Sequence, residues 1–319
     1  MIKYASLCSG IGTETFSFKR LGIPSKCVLW SDNDKFAQQT HNLNHPEYKD
    51  KLHPDLKTIG WERVEDFDFL LSGFPCQPFS LAGSRGGFED TRGTIFFHLA
   101  KALSIKKPEY FLFENVTGLM SHDSGRTYRT IINVLEELGY YVWGRVYNTT
   151  QFGIPHNRPR IWLIGFKDYT KHLNYKTIAP MTPIRDLSTF LDSSVGSKYD
   201  ISEASWKRMQ PTISKKGHKM KPNKLYVIDY GASQRYQTLS EGIVPCLKAT
   251  RSNYVVLPLK RHLTPRECFR LQGFYDDELK CDVSDTQAYK QAGNGWTVTV
   301  STEIIRRMLG VEDDMNEKV

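Results

Sequence analysis

The stretch Ile2-Lys3-Tyr4-Ala5-Ser6-Leu7-Cys8-Ser9-Gly10-Ile11-Gly12-Thr13 opens the chain with a short apolar run, a glycine pair and the start of a helical pattern. Glycines at such a junction let the backbone turn tightly and approach a ligand at the helix N-terminus. The same order repeats downstream. Strand-like runs at 2–7, 27–31, 67–72, 110–114, 140–147 and 160–166 alternate with helical patterns near 13–21, 35–43, 93–104 and 127–138. Alternation of this kind predicts an α/β fold with a doubly wound, mostly parallel sheet. From about 168 to 258 the apolar periodicity shortens and Pro, Ser, Lys and Asn become frequent. Helical patterns return at 264–271 and 301–309. The expected organisation is a first, larger domain at 1–175, a smaller irregular inserted domain at 176–258, and a segment at 259–319 that returns to the first domain.

The 319 residues are 39% hydrophobic and 24% charged, which excludes whole-chain disorder and fibrous repeats. Lys plus Arg number 43 against 35 for Asp plus Glu, a net charge of +8 that favours a polyanionic partner. The excess is concentrated. Lys207, Arg208, Lys215, Lys216, Lys219, Lys221 and Lys224 fall in a stretch with no acid, whereas Glu312, Asp313, Asp314 and Glu317 make an acidic tail. The basic stretch is expected to be a loop, either solvated or in contact with phosphates. No apolar run reaches the ~18 residues of a membrane span. The 6 cysteines form no CxxC pair, and a reduced cytosolic enzyme with free thiols is expected.

At the end of the second strand stands Asp32, placed as a ribose-binding carboxylate would be. Asp55, before Leu56, is a candidate to accept from an adenine amine. In order along one sheet these residues suggest an adenosine-containing cofactor. No Walker lysine follows the glycines, so nicotinamide and S-adenosylmethionine both stay open from this half.

The run Phe67–Ser72 empties into Gly73-Phe74-Pro75-Cys76-Gln77-Pro78-Phe79-Ser80. Two prolines stiffen a cysteine just beyond a strand's carboxyl end, where open α/β sheets bind ligands. Cys76 is therefore the candidate nucleophile. The other cysteines read as structural. Glu114 closes the apolar strand Tyr110–Phe113, positioned for proton sharing or for capping the next loop. Arg158 and Arg160 alternate, so an extended chain would aim both to one side, as a pair for a phosphate, a carboxylate or a base carbonyl.

Together these segments resemble the C5-cytosine DNA methyltransferase family over most of the chain outside the middle. Gly73–Ser80 resembles its nucleophile loop and Glu114-Asn115-Val116 its ENV motif. Gln151-Phe152-Gly153-Ile154-Pro155 through Arg160 is similar to its QxRxR segment. Leu263-Thr264-Pro265-Arg266-Glu267 resembles the segment after its recognition domain, and Gln291-Ala292-Gly293-Asn294 its final motif. The resemblance implies the S-adenosylmethionine-dependent methyltransferase fold with the target recognition domain as the insertion. It implies Cys76, Glu114, Arg158 and Arg160 as catalytic residues. It implies a cofactor site of Cys8, Ser9, Gly10, Ile11, Gly12, Asp32, Asn33, Asp55, Leu56, Pro75, Asn294 and Gly295, and no metal. Ser80, Arg85, Gln234, Arg235, Tyr236, Arg251 and Ser252 would contact DNA, with Ala82–Asp90 as a closing loop. The implied partner is double-stranded DNA, acted on by a cytoplasmic monomer of a bacterial or phage-infected cell. A cognate restriction endonuclease acting separately would be a further partner; an RNA cytosine-C5 methyltransferase of the same fold, a catalytically inactive DNA-binding relative and a thiol-dependent nucleotide-modifying or NAD-linked enzyme are the rival readings. This chain departs from the family pattern at Cys8 (for an aromatic), Asn33 (for a bulky residue), His156 (for the Gln of QxRxR), Gly295-Trp296 (for Ser and Val) and Cys246 (for the Thr of a TL pair).

Overall fold

The computed structural model describes residues 1–75, 95–179, 182–216, 220–230, 237–249 and 254–311. The chain forms two compact units, one of Met1–Tyr147, Pro159–Ile178 and Val300–Val319, the other of Asn148–Arg158 and Ala179–Thr299.

The first unit is built on strands β1 (Ile2–Leu7), β2 (Ser25–Ser31), β3 (Phe69–Ser72), β4 (Tyr110–Val116) and β5 (Tyr141–Asn148). Between them run helices α1 (Thr13–Arg20), α2 (Lys35–Asn44), α3 (Ile95–Lys106) and α4 (Arg126–Glu137). After β6 (His156–Asn157) of the second unit come β7 (Pro159–Phe166) and α5 (Tyr169–Asn174). The sheet order is β2-β1-β3-β4-β7-β5. β1 lies parallel to β2 and β3, and β3 parallel to β4, while β7 runs antiparallel to β4.

Alternation along each strand feeds two apolar faces. One face carries Ala5, Leu7, Leu70, Phe111, Phe113, Ile161 and Leu163, buried with α3 and α4 through Phe96, Leu99, Ile131 and Leu135. The opposite face is a row of rings. Tyr4 stacks on Phe18 of α1 at 5.0 Å, Phe18 meets Phe69 at 5.8 Å, and Phe69 stacks on Tyr110 at 4.5 Å. Fully burying each such side chain contributes about 1.5–3 kcal/mol. Gly165 on β7 faces Phe111 across the ladder, and a Cβ there would lie 1.9 Å from the Phe111 ring, so only glycine fits.

The second unit contains α6 (Glu203–Lys216), β8 (Tyr226–Asp229), β9 (Thr238–Glu241), β10 (Val244–Pro245), β11 (Tyr254–Leu257) and β12 (Arg261–His262). It continues with α7 (Pro265–Leu271) and α8 (Asp285–Asn294), and α9 (Val298–Met308) leads back to the first unit. An antiparallel sheet of order β12-β11-β8-β9 buries Tyr226, Ile228, Val255 and Leu257 against Met209 of α6. A separate parallel pair joins β6 to β10, with Val244 opposite His156.

One expectation is corrected here. The first half of the basic stretch is helix α6, not a loop; Trp206, Met209 and Ile213 share its inner face despite Pro211 and the surrounding charge. The chain is back in the first unit at Val300. Residues 259–299 stay with the second unit because Arg261 binds Glu267 through both its terminal nitrogens (2.9 and 2.7 Å), while Glu267 accepts the Asp192 N–H at 2.8 Å.

Candidate active site

The cofactor candidates of the first unit lie at the carboxyl ends of β1 and β2. Cys8, Gly10 and Gly12 have φ of 54°, 56° and 80°, a left-handed alternation that folds the loop back on itself. At Gly12 crowding also decides, since a Cβ would sit 2.7 Å from the His45 ring. A Cβ at Gly10 would meet nothing within 4 Å, so the space in front of this loop is open. The Ser9 hydroxyl donates to the Ser6 carbonyl at 2.9 Å, and Ile11 is buried. Asp32 fastens the loop to the end of β2: one carboxylate oxygen accepts the Gly10 N–H at 2.8 Å and the other the Asp34 N–H at 2.9 Å. Asn33 beside it is exposed. Asp55 is exposed and accepts the Lys57 N–H at 3.0 Å, capping a short turn that buries Leu56. Pro75 is exposed. Asn294 and Gly295 belong to the second unit, where Asn294 ends α8.

This arrangement fits an adenosine-containing cofactor. A half-exposed carboxylate and an exposed amide stand at the end of β2, beside a glycine loop with open space and a helix N-terminus. Burial, with Asp32 adding to it, pushes the Cys8 thiol up to about 12. Burial raises the thiols of Cys27 and Cys268 as well. These three thiols are therefore neutral near pH 7.

Cys76, Ser80 and Arg85 lie outside the described residues, as do Gln234, Arg235, Tyr236, Arg251 and Ser252. The chain leading to Cys76 is described as far as Pro75. Asn115 donates from its side chain to the Phe74 carbonyl at 2.9 Å, and its own oxygen accepts the Val116 N–H at 2.8 Å. Asn115 thus ties the end of β4 to the approach of the cysteine loop. Sequence reasoning assigns it no role of its own; a buried amide next to a strand-end acid is the signal that would have found it.

Glu114 is 7% exposed at the end of β4, on the strand face opposite Phe113. The Arg160 Nε stands 3.0 Å from its carboxylate, an ion pair across the antiparallel β4–β7 ladder. A carboxylate and a guanidinium so held can accept from an amine and donate to a carbonyl on one small planar ring. Arg158 is the other arginine of this segment. It belongs to the second unit, is 3% exposed, and donates to the carbonyls of Gly293 (3.0 Å), Leu247 (3.4 Å) and Gly295 (2.8 Å). The Asn148 and Pro159 positions flanking β6 mark the passage between the units, which places the two arginines in different ones.

Comparison with known proteins agrees. The family model for C-5 cytosine-specific DNA methylase matches residues 2–310. The type II methyltransferase M1.ScrFI of Lactococcus lactis subsp. cremoris is 39% identical, over 97% of this chain and 78% of its own. M.NgoBI of Neisseria gonorrhoeae, also a type II methyltransferase, is 38% identical, over 94% of this chain and 90% of its own. Among solved structures, the S. pombe Dnmt2 methyltransferase matches in fold with a TM-score of 0.70 at 20% identity, covering 97% of this chain and 99% of that one. The Entamoeba histolytica methyltransferase EhMeth matches with a TM-score of 0.67 at 18% identity, over 99% of both chains. A family model spanning nearly the whole sequence, with relatives this similar, makes this chain a member of the C-5 cytosine-specific DNA methylase family.

Proposed function

We propose that this DNA cytosine-5 methyltransferase uses S-adenosylmethionine and works through a covalent bond between Cys76 and the target cytosine in a specific duplex sequence. The observation that carries the reading is the Glu114–Arg160 pair at the mouth of the sheet, on the strand end that Asn115 ties to the cysteine loop. Carbon 5 of cytosine is a poor nucleophile. The Cys76 thiolate adds to carbon 6, and the ring becomes enamine-like with its electron density on carbon 5. Glu114 holds the ring nitrogen N3 and the exocyclic amine as charge develops, and Arg160 holds the carbonyl oxygen. S-adenosylmethionine, held by the Cys8–Gly12 loop and Asp32, supplies the electrophilic methyl group. A base then removes the carbon 5 proton, and the Cys76 sulfur leaves as the ring regains its double bond.

The reacting carbon is inaccessible in stacked DNA, so the base is flipped out at a cost of a few kcal/mol. Contacts from Ser80, Arg85, the 234–236 segment and Arg251-Ser252 offset that cost, as do basic side chains on phosphates. The protein acts as a monomer in the cytoplasm, with any restriction endonuclease acting separately. Among the described residues no helix is long and apolar enough to cross a membrane.

The test is Cys76→Ala with a fluorinated-cytosine duplex as a trap. The variant is expected to lose at least ~10³-fold in methyl transfer while still binding DNA, and the parent protein to become crosslinked to the trap at Cys76. Substantial methylation by the variant, or no crosslink at saturating methyl donor, would refute the covalent route. Protection against thermal unfolding by S-adenosylmethionine but not by NAD checks the cofactor.

A further inference from the structure

His156 stands where the family pattern has glutamine, and it is fully buried in the second unit. Its Nδ1 is 3.0 Å from the Leu271 carbonyl, which can only accept, so Nδ1 carries the proton. Its Nε2 accepts the Leu247 N–H at 3.1 Å. The other end of the Leu247 residue is also held, because its carbonyl accepts from Arg158. The same guanidinium grips Gly293 and Gly295. Gly293 in turn touches the next peptide: a Cβ there would lie 2.4 Å from the Lys248 carbonyl carbon and 2.6 Å from the Ala249 nitrogen. Beside this knot β6 pairs with β10 in register, Val244 opposite His156 and Pro245 opposite Asn157.

The knot closes around 244–249, the run that lies between the polar segments 234–236 and 251–253. His156 and Arg158 reach main-chain groups through these bonds, and Arg158 also reaches the Cys246 sulfur at 3.9 Å, so two buried polar side chains fix the register of one short loop-like stretch. We infer that His156 and Arg158 are positioning residues for the methyl transfer: they set where 246–249 presents itself to DNA and where the Gly293–Gly295 turn lies, without touching substrate. The inference rests on the duplex DNA activity proposed above. Glutamine can meet the same two demands, since its amide also carries one donor and one acceptor on neighbouring atoms.

The experiment first identifies the methylated site by sequencing DNA from cells expressing the parent enzyme. If the parent methylates no DNA, the activity has failed and the knot is not in question. With the site in hand, kcat, KM for DNA and S-adenosylmethionine affinity are measured for His156→Ala, His156→Gln and Arg158→Lys. His156→Ala is expected to lower kcat at the cognate site at least about tenfold and to shrink the preference over single-mismatch sites. His156→Gln is expected to recover both to within about threefold. Arg158→Lys keeps the charge but loses the planar fork, and should behave like His156→Ala. Should the alanine variant fail to fold, Arg158→Lys and His156→Gln still decide. Parental kcat and discrimination in His156→Ala or Arg158→Lys would overturn the inference, as would equal losses in the Ala and Gln variants.

Discussion

The sheets of the two units reach burial by different routes. In the first unit Phe69–Ser72 and Tyr110–Asn115 are buried at every position, because helices and rings cover both faces of the sheet. In the second unit β8 and β11 are four residues each, and their small core rests on the single helix α6. Both are still buried at every position and read Tyr-Val-Ile-Asp and Tyr-Val-Val-Leu, so the element that the sequence hides is not the strand but the lysine-rich helix that covers it. The contrast extends to chemistry. The first unit holds the buried Glu114–Arg160 pair at a strand end, whereas the second uses its buried Arg261–Glu267 pair to fasten its own chain and turns Arg158 on main-chain carbonyls.

The largest effect that would break this contrast is catalytic. Glu114→Gln should lower kcat by about 10²–10³-fold with a melting temperature near that of the parent. A loss below tenfold, read by transfer of a labelled methyl group, would move the chemistry away from the end of β4.

The next effect sets glycine against glycine. Gly165→Ala forces a methyl into the Phe111 ring and should cost about 1–3 kcal/mol, several degrees of melting temperature. Gly196→Ala in the second unit meets nothing within 4 Å and should fall within about 0.5 kcal/mol of the parent. Equal penalties in thermal melts would mean that the two units are packed alike.

A smaller effect depends on pH. Burial raises the Glu14 carboxyl, in the first turn of α1, from 4.5 to about 7, partly opposed by a hydrogen bond with Ser6. The folded state therefore holds this proton more tightly than the unfolded state does. The stabilisation is complete below pH 4.5 and is lost as pH rises through 7. Glu14→Gln should melt higher than the parent at pH 8, with the gap opening across that window. His41 and His45, lowered by burial to about 3 and about 2, act in the opposite sense, and both proteins share their loss of stability below pH 6.5. A pH-independent difference would clear Glu14 of any part in it.

The smallest effect belongs to the basic stretch. Neutralising Lys215, Lys216 and Lys219 should flatten the salt dependence of DNA binding, the slope falling by about one for each phosphate left unneutralised. An unchanged slope would make this a solvated face.

The readable parts of the sequence are those whose partners lie close in the chain or whose faces are uniformly apolar. β1 is legible at the residues where it is found, and Asp32 at the end of β2 reads as a site residue without its bond to Gly10. Helix α6 is hidden by its own lysines and Pro211, and α8 by a polar sequence with few apolar positions. Arg158 illustrates the deeper limit. Alternation in an extended segment aims it with Arg160, but its partners Leu247 and Gly293 are 89 and 135 residues away, beyond any local pattern.

The second unit is assembled from two separate stretches of chain, 148–158 and 179–299, so a DNA preference read by this unit, as the proposal has it, would not be portable as one continuous cassette. A chimera that imports only the longer stretch from a relative would install a foreign reader over a native β6, and its loop would close on a histidine and an arginine that evolved with another. Exchanges that carry the short piece along should yield working hybrids far more often than those that omit it.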